Sequence, residues 1–129
     1  MGRNFLFVLL LPLGSASAYE LEKAVDVLSH ELTDCAGFYL ISAGRVRAQQ
    51  PELAEQNKQA AVNALAYSNA LTDVETTRAR SEAALVSMVG DLKSGAVSFP
   101  ALSAKYADQC AQTVANPEKR ADYLQKKQD

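Results

Sequence analysis

Tryptophan is absent from this chain, histidine occurs once, and only two cysteines are present among its 129 residues. Because Cys35 and Cys110 are far apart, there is no C-x-x-C redox motif and no C-x-x-C-H site for haem attachment. The chain also lacks a glycine-rich phosphate loop, a recognisable pair of catalytic carboxylates and a nucleophile-base pair, since His30 falls on a different helix face from Cys35. We therefore expect a protein that is not an enzyme and has no cofactor.

Basic clusters and long apolar runs are missing as well. The chain has 13 Lys and Arg against 15 Asp and Glu, a net charge of −2. Nucleic-acid binding depends on clustered Lys and Arg, so this balance argues against nucleic acid as a partner. The longest apolar run, Phe5 to Leu13, is less than half of the roughly twenty residues that a membrane anchor needs.

This short run predicts a signal peptide over residues 1–18. Arg3 precedes the run, and Ala16-Ser17-Ala18 is a small-x-small cleavage site. Cleavage after Ala18 would leave residues 19–129, a chain of 111 residues with a net charge of −3 because Arg3 is lost. Since Tyr19 and not a cysteine follows the cut, a lipid anchor is not expected. The short signal and the absence of Asn-x-Ser/Thr favour a periplasmic location over a eukaryotic secretory route, with secretion as the alternative.

Residues 19–129 suit one compact domain. Abundant alanine and sparse proline and glycine favour closely packed helices. The predicted fold is all-α, an antiparallel bundle of three to four long helices plus a short C-terminal helix.

The first helix is predicted from about Glu20 to Gln49, where Pro51 disfavours its continuation. Its apolar residues recur at helical spacing; they are Leu21, Val25, Leu28, Leu32, Cys35, Tyr39 and Val46. Gly37 and Gly44 weaken this helix and are expected where another helix comes close.

A second helix begins near Pro51. Its predicted inward side consists of Leu53, Ala60, Ala64, Tyr67 and Leu71. Thr72 followed by Glu75 matches a capping box, which would start a new helix. The apolar pattern also continues to Leu92, so one long helix to about Lys93 is the alternative.

The later boundaries have clear signals. Ser94-Gly95 predicts a helix end, and Ser98 before Phe99-Pro100 predicts the next start. Asn116-Pro117 predicts a final short helix or a kink. The inward side of the helix after Pro100 is predicted to contain Leu102, Tyr106, Cys110 and Val114.

The two cysteines are predicted to form one disulfide. Cys35 and Cys110 each lie in the middle of an apolar helix stripe, and the first and last long helices of an up-down bundle are antiparallel neighbours. An oxidising compartment after export would allow the bond to form. A redox site is the alternative, but the distance between the cysteines in the sequence argues against it.

The segment Asp34-Cys35-Ala36-Gly37-Phe38-Tyr39 resembles the cysteine-aromatic helix of short uncharacterised exported proteins of Gram-negative bacteria. The resemblance implies an exported helical protein and carries no activity with it.

Glu22, Asp26, His30 and Asp34 are four residues apart, so they follow one side of the first helix. A solvated helix face, a pH-sensitive surface and a metal site are the three interpretations; a closed zinc site would need a fourth ligand. The arginine pairs at positions 45/47 and 78/80 are interpreted as solubilising charges.

The sequence favours an exported, non-enzymatic helical domain that acts by protein interaction, as an accessory protein or inhibitor with an unidentified protein partner. A periplasmic acid-stress chaperone is the first alternative, suggested by the same small, disulfide-linked helical architecture. A bundle that binds a small ligand or a metal is the second.

Overall fold

The computed structural model describes the backbone of residues 4–127 and the side chains of residues 20–127. This part of the chain forms five α-helices and no strand. Their bounds are Asn4–Val46 for α1, Pro51–Leu71 for α2, Val74–Ser94 for α3, Phe99–Ala115 for α4 and Pro117–Lys127 for α5. The predicted all-α fold, with long helices and a short C-terminal one, is confirmed.

Helix α1 differs from the prediction at both ends. It begins at Asn4 rather than Glu20. It ends at Val46 rather than Gln49, because the N–H groups of Gln49 and Gln50 donate to the Val46 carbonyl and close a turn. Residues 1–3 of the predicted signal peptide and the side chains around its cleavage site lie outside the described residues. The signal peptide and the domain limits 19–129 stay predictions.

The chain breaks between α2 and α3, so two helices rather than one long helix cover this region. Asp73, not Thr72, caps α3: its carboxylate accepts hydrogen bonds from the Thr76 N–H at 2.7 Å and the Thr76 hydroxyl at 2.9 Å. These bonds lower the pKa of Asp73. Thr72 instead closes α2 by donating its hydroxyl to the Ser68 carbonyl. The capping-box prediction was therefore right about the break between α2 and α3 and wrong about the residue that caps α3.

The remaining helix boundaries follow the sequence signals. Gly95 ends α3 at φ 79, a left-handed conformation that glycine adopts without steric cost. The Ser98 hydroxyl accepts a hydrogen bond from the Ala101 N–H and caps α4. The Asn116 side chain accepts one from the Lys119 N–H and caps α5. These local predictions are confirmed.

Helix α1 occupies the centre of the bundle and contacts each of the other four helices. After the turn at 47–50, α2 runs antiparallel to α1, and the Ser68 and Ser29 hydroxyls meet at 2.9 Å. The chain then reverses, so that α3 runs roughly parallel to α1. Thr77 near the start of α3 contacts Ser68, and Met88 further along lies beside Gly37.

Helices α4 and α5 together return antiparallel to α1. Three contacts in chain order fix this direction: Phe99 with Arg45, Cys110 with Cys35, and Arg120 with Glu31. The first and last segments of the bundle are therefore antiparallel neighbours, as the sequence predicted.

Two clusters of buried side chains form the core. The first joins α1, α2 and α5; its members are Ala24, Leu28, Leu32, Ala36, Ala61, Ala64 and Leu124. The second joins α1, α3 and α4; its members are Cys35, Phe38, Met88, Leu102 and Cys110. The predicted inward sides of α1 and α4 are largely confirmed. Leu21 is an exception, with half of its surface exposed.

The buried side of α2 matches the predicted one at Ala64 but differs at its larger residues. Its buried residues are all small: Ala54, Ala61, Ala64 and Ser68. Leu53 and Tyr67 remain 38% and 40% exposed. Small side chains let two helix backbones approach closely, so α2 packs on α1 through them and leaves its larger apolar residues at the margin.

Candidate functional site

A groove between α1, α3 and α4 brings charged and apolar side chains together. It has a volume of about 180 Å³. We call it the Asp34 groove; the lining residues used below are Asp34 from α1, Ser87, Met88 and Asp91 from α3, and Leu102, Lys105 and Tyr106 from α4. Met88 and Leu102 belong to the second core cluster, so the groove reaches from solvent into the hydrophobic interior.

Other cavities lie at the surface between exposed or half-buried residues. One of them, about 570 Å³, lies at the junction of α4 and α5 beside Asn116 and Tyr123. Another, about 470 Å³, follows the turn between α1 and α2. Neither includes a buried side chain in its lining. The combination of a charged group with buried apolar walls makes the smaller Asp34 groove the better candidate for a binding site.

Asp34 is half-buried in this groove. Burial raises the pKa of its carboxyl group, and the nearby Glu31 charge adds to this effect, while His30 and Lys105 oppose it. Within residues 20–127, no side chain forms an ion pair or a hydrogen bond with Asp34. The groove therefore contains a partly desolvated carboxylate that has no partner among the described side chains.

Lys105 lines the same groove, and its ammonium group stacks on another lining residue, Tyr106, rather than pairing with Asp34. Its Nζ atom lies 5.1 Å from the centroid of the Tyr106 ring, in a cation–π contact. Lys105 thus acts on Asp34 only over a longer distance, by lowering its pKa. Asp91, which is exposed, adds a second negative charge to the groove.

The disulfide fixes the relation between two sides of the groove. Cys35 and Cys110 are bonded, with their Cα atoms 5.4 Å apart across 75 residues of sequence. This confirms the predicted pair. Since Cys35 directly follows Asp34, the bond holds α4 against the part of α1 that contains Asp34.

Two further residues of the same α1 segment pack against the helices that line the groove. Phe38 packs against Tyr106 of α4 with ring centroids 5.9 Å apart. Gly37 faces α3, where an added Cβ would lie 3.5 Å from the backbone nitrogen of Leu85. The expected close approach is confirmed at Gly37 and is wrong for Gly44, where nothing lies within 4 Å.

The four residues of the predicted acidic stripe do not form one site. Glu22 is exposed, and Asp26 accepts a hydrogen bond of 2.7 Å from Arg80 of α3. His30 Nε2 lies 4.0 Å from the other Asp26 oxygen, while Asp34 lines the groove. Between residues 20 and 127, no three His, Cys, Asp or Glu side chains are close enough to hold a metal ion. The exposure of Glu22, Asp26 and His30 fits the interpretation as a solvated face, whereas Asp34 differs because it is half-buried in the groove between α1, α3 and α4.

Arginines contribute to packing as well as to solubility. Arg80, interpreted from sequence as a solubilising charge, has only 22% of its side chain exposed and pairs with Asp26. Arg45 stacks over the Phe99 ring at 4.4 Å. Arg78 fits the predicted role, since it pairs with exposed Glu75 and Glu82 on its own helix.

Two polar contacts that sequence reasoning missed connect distant helices. Arg120 of α5 donates two hydrogen bonds to Glu31 of α1, at 2.8 and 2.6 Å. These bonds raise the pKa of Arg120. In the interior, the Ser68 hydroxyl bonds to the hydroxyls of Ser29 at 2.9 Å and Thr77 at 2.8 Å. The sequence signal for this network was a polar residue, Ser68, one turn from Ala64 on the small-residue side of α2.

None of the described helices is both long and apolar enough to span a membrane. Comparisons of the chain with models of protein families, with curated proteins and with solved structures found no match.

Proposed function

We propose that this chain is a small exported domain, without enzymatic activity, that binds a partner protein through the Asp34 groove. The observation that supports the proposal is the partly desolvated Asp34 carboxylate beside the apolar side chains of Met88 and Leu102. Keeping an unpaired carboxylate in such surroundings destabilises a folded chain. Groups of this kind are typical of binding sites, where a ligand supplies the missing partner.

Export is the second part of the proposal. The predicted signal peptide would take the chain to an oxidising compartment, where disulfides form and persist. The Cys35–Cys110 bond is compatible with that location. Because this bond joins α1 to α4, the same compartment would also stabilise the walls of the groove.

Site-specific photo-crosslinking in the native host tests the interaction. A photoreactive phenylalanine analogue would replace Ser87 or Ala101, both exposed residues that line the groove. Val62, which is 56% exposed on α2 and outside the groove, is the matched control. We expect one adduct of defined mass at Ser87 and Ala101 and none at Val62. Absence of an adduct at the groove, or the same adducts at Val62, would contradict the proposal.

A periplasmic acid-stress chaperone is the second candidate, and the ion pairs between helices favour it. Asp26–Arg80 joins α1 to α3, and Glu31–Arg120 joins α1 to α5. Both pairs join separate helices through charge attraction. A chaperone should bind an apolar dye and suppress aggregation of a client protein when the pH falls from 7 to about 3. A chain that stays compact and inactive over this range would exclude this function.

A further inference from the structure

We propose that the Asp34 groove recognises a cationic side chain of the partner protein, an ammonium or guanidinium group at the end of an apolar chain. This inference rests on the proposed function and specifies the chemistry of its binding site. It is carried by the juxtaposition of a carboxylate that no side chain of residues 20–127 pairs with, buried apolar walls and a volume suited to one long side chain.

The charges around the groove favour a cation. Five charged or titratable groups accompany Asp34: Glu31 and His30 on α1, Asp91 on α3, and Lys105 and Tyr106 on α4. Glu31 is engaged by Arg120, and Lys105 is stacked on Tyr106. His30 lies nearest to Asp26 on the other side of its turn. Among the residues that line the groove, the two carboxylates, Asp34 and Asp91, outnumber the one cation, Lys105.

The apolar part of the groove matches the remainder of a lysine or arginine side chain. Met88 and Leu102 are 5% exposed and form the inner wall, with the Tyr106 ring beside them. Long basic side chains bury their methylene groups against such surfaces while the charged end meets a carboxylate. A bound cation would also restore the electrostatic stabilisation that Asp34 loses through burial. A volume of about 180 Å³ is too small for a helix or a folded segment of the partner.

Binding of butylammonium, followed by NMR, tests this inference. This probe has the charged group and methylene chain of lysine. We expect saturable shifts of the Met88 methyl and Tyr106 ring signals at millimolar concentrations, and about tenfold weaker binding of uncharged butanol, since a charged hydrogen bond contributes roughly 1.5 kcal/mol or more. Butylammonium that binds no more tightly than butanol would overturn the proposal.

Two variants test whether Asp34 is the carboxylate that binds butylammonium. Asp34→Asn keeps the size of the side chain and should weaken butylammonium binding about tenfold, while butanol binding stays unchanged. Asp108→Asn is the matched control, because Asp108 is exposed on α4 and does not line the groove. An equal loss of butylammonium affinity in both variants would show that binding depends only on the net charge of the protein. It would contradict the assignment of Asp34 as the binding carboxylate. Circular dichroism verifies that both variants fold.

The crosslinking experiment separates this inference from the function on which it rests. If the adduct at Ser87 disappears in Asp34→Asn and persists in Asp108→Asn, a basic side chain of the partner is supported. If it persists equally in both variants, the partner binds the groove without using Asp34, so this inference fails and the proposed function stands. If the unsubstituted groove gives no adduct but spermidine binds at Asp34, the cation is a free polyamine, and the assignment to a protein partner is wrong.

Discussion

The bond between Cys35 and Cys110 joins the centre of α1 to α4 directly beside Asp34, with the two Cα atoms 5.4 Å apart. The same covalent link therefore stabilises the bundle and fixes two sides of the Asp34 groove. The chain between the cysteines contains α2 and α3, so the loop that the bond closes includes most of the described helical structure outside α1.

Removing the disulfide should destabilise the protein strongly. In the chain-entropy model, closure of a 75-residue loop restricts the unfolded chain by about 4–5 kcal/mol. We expect the double variant Cys35→Ala/Cys110→Ala to lose most of this amount in urea unfolding. The reduced wild-type protein is the control and should match it closely. A loss below about 1 kcal/mol would show that the bond contributes little to stability.

Neutralising Asp34 should stabilise the protein at neutral pH. Burial raises the pKa of this carboxyl group, so the folded chain binds the proton more readily than the unfolded chain. Ionised Asp34 therefore destabilises the folded state at neutral pH, and this effect is relieved as the pH falls through the raised pKa. We expect Asp34→Asn to raise Tm by about 1–3 °C at pH 7.

The difference in Tm between Asp34→Asn and the unsubstituted protein should depend on pH, and this dependence shows whether the Asp34 charge causes it. Well below pH 3.8, the ordinary pKa of this group, Asp34 is protonated in both the folded and unfolded chains, so the gap in Tm should close. Asp108→Asn makes the same change of charge on the exposed side of α4 and should give a small gap. A lower Tm for Asp34→Asn at pH 7 would show that the carboxylate stabilises the fold, contrary to our account.

Local signals in the sequence predicted the helix boundaries well. Ser98, Asn116 and Gly95 act through backbone hydrogen bonds or φ angles within a few residues, so their effect is visible without the fold. The cysteine pair was predictable because Cys35 and Cys110 each lie on a regular apolar stripe.

Features that depend on packing between helices were harder to predict. Periodicity assigned the larger apolar residues Leu53 and Tyr67 to the inside of α2, whereas close packing on α1 selected alanine and serine. The groove depends on Asp34 and Lys105, whose proximity arises only when α4 folds back along α1. Arg80 likewise has a partner on another helix, which its own helix pattern does not indicate.

Loss of the Glu31–Arg120 pair should loosen α5. The Glu31 and Arg120 side chains are 16% and 25% exposed, and two hydrogen bonds join them. We expect Glu31→Gln to lower the free energy of unfolding by about 1–2 kcal/mol and to accelerate amide exchange in Pro117–Lys127. Glu55→Gln removes one partner of the exposed Glu55–Lys58 contact and should change stability by less than about 0.5 kcal/mol. Unchanged exchange in α5 would contradict a role for Glu31 in docking this helix.

The hydroxyl network tests whether buried polar contacts between α1, α2 and α3 stabilise the bundle. Ser68→Ala removes the common partner of Ser29 and Thr77, so two buried hydroxyls lose a hydrogen bond. We expect a loss of about 1–3 kcal/mol in urea unfolding. Ser42→Ala is the matched control: within the described side chains, the buried Ser42 hydroxyl has no hydrogen-bond partner, so its removal should be neutral or stabilising. Similar losses in both variants would show that the network has no specific effect.

Intact-mass spectrometry of the protein from its native host, before and after reduction, tests the central claim that this is an exported chain held together by a disulfide. The account predicts the mass of residues 19–129 with two hydrogens missing, and a gain of those two hydrogens on reduction. The mass of all 129 residues, with no change on reduction, would contradict it.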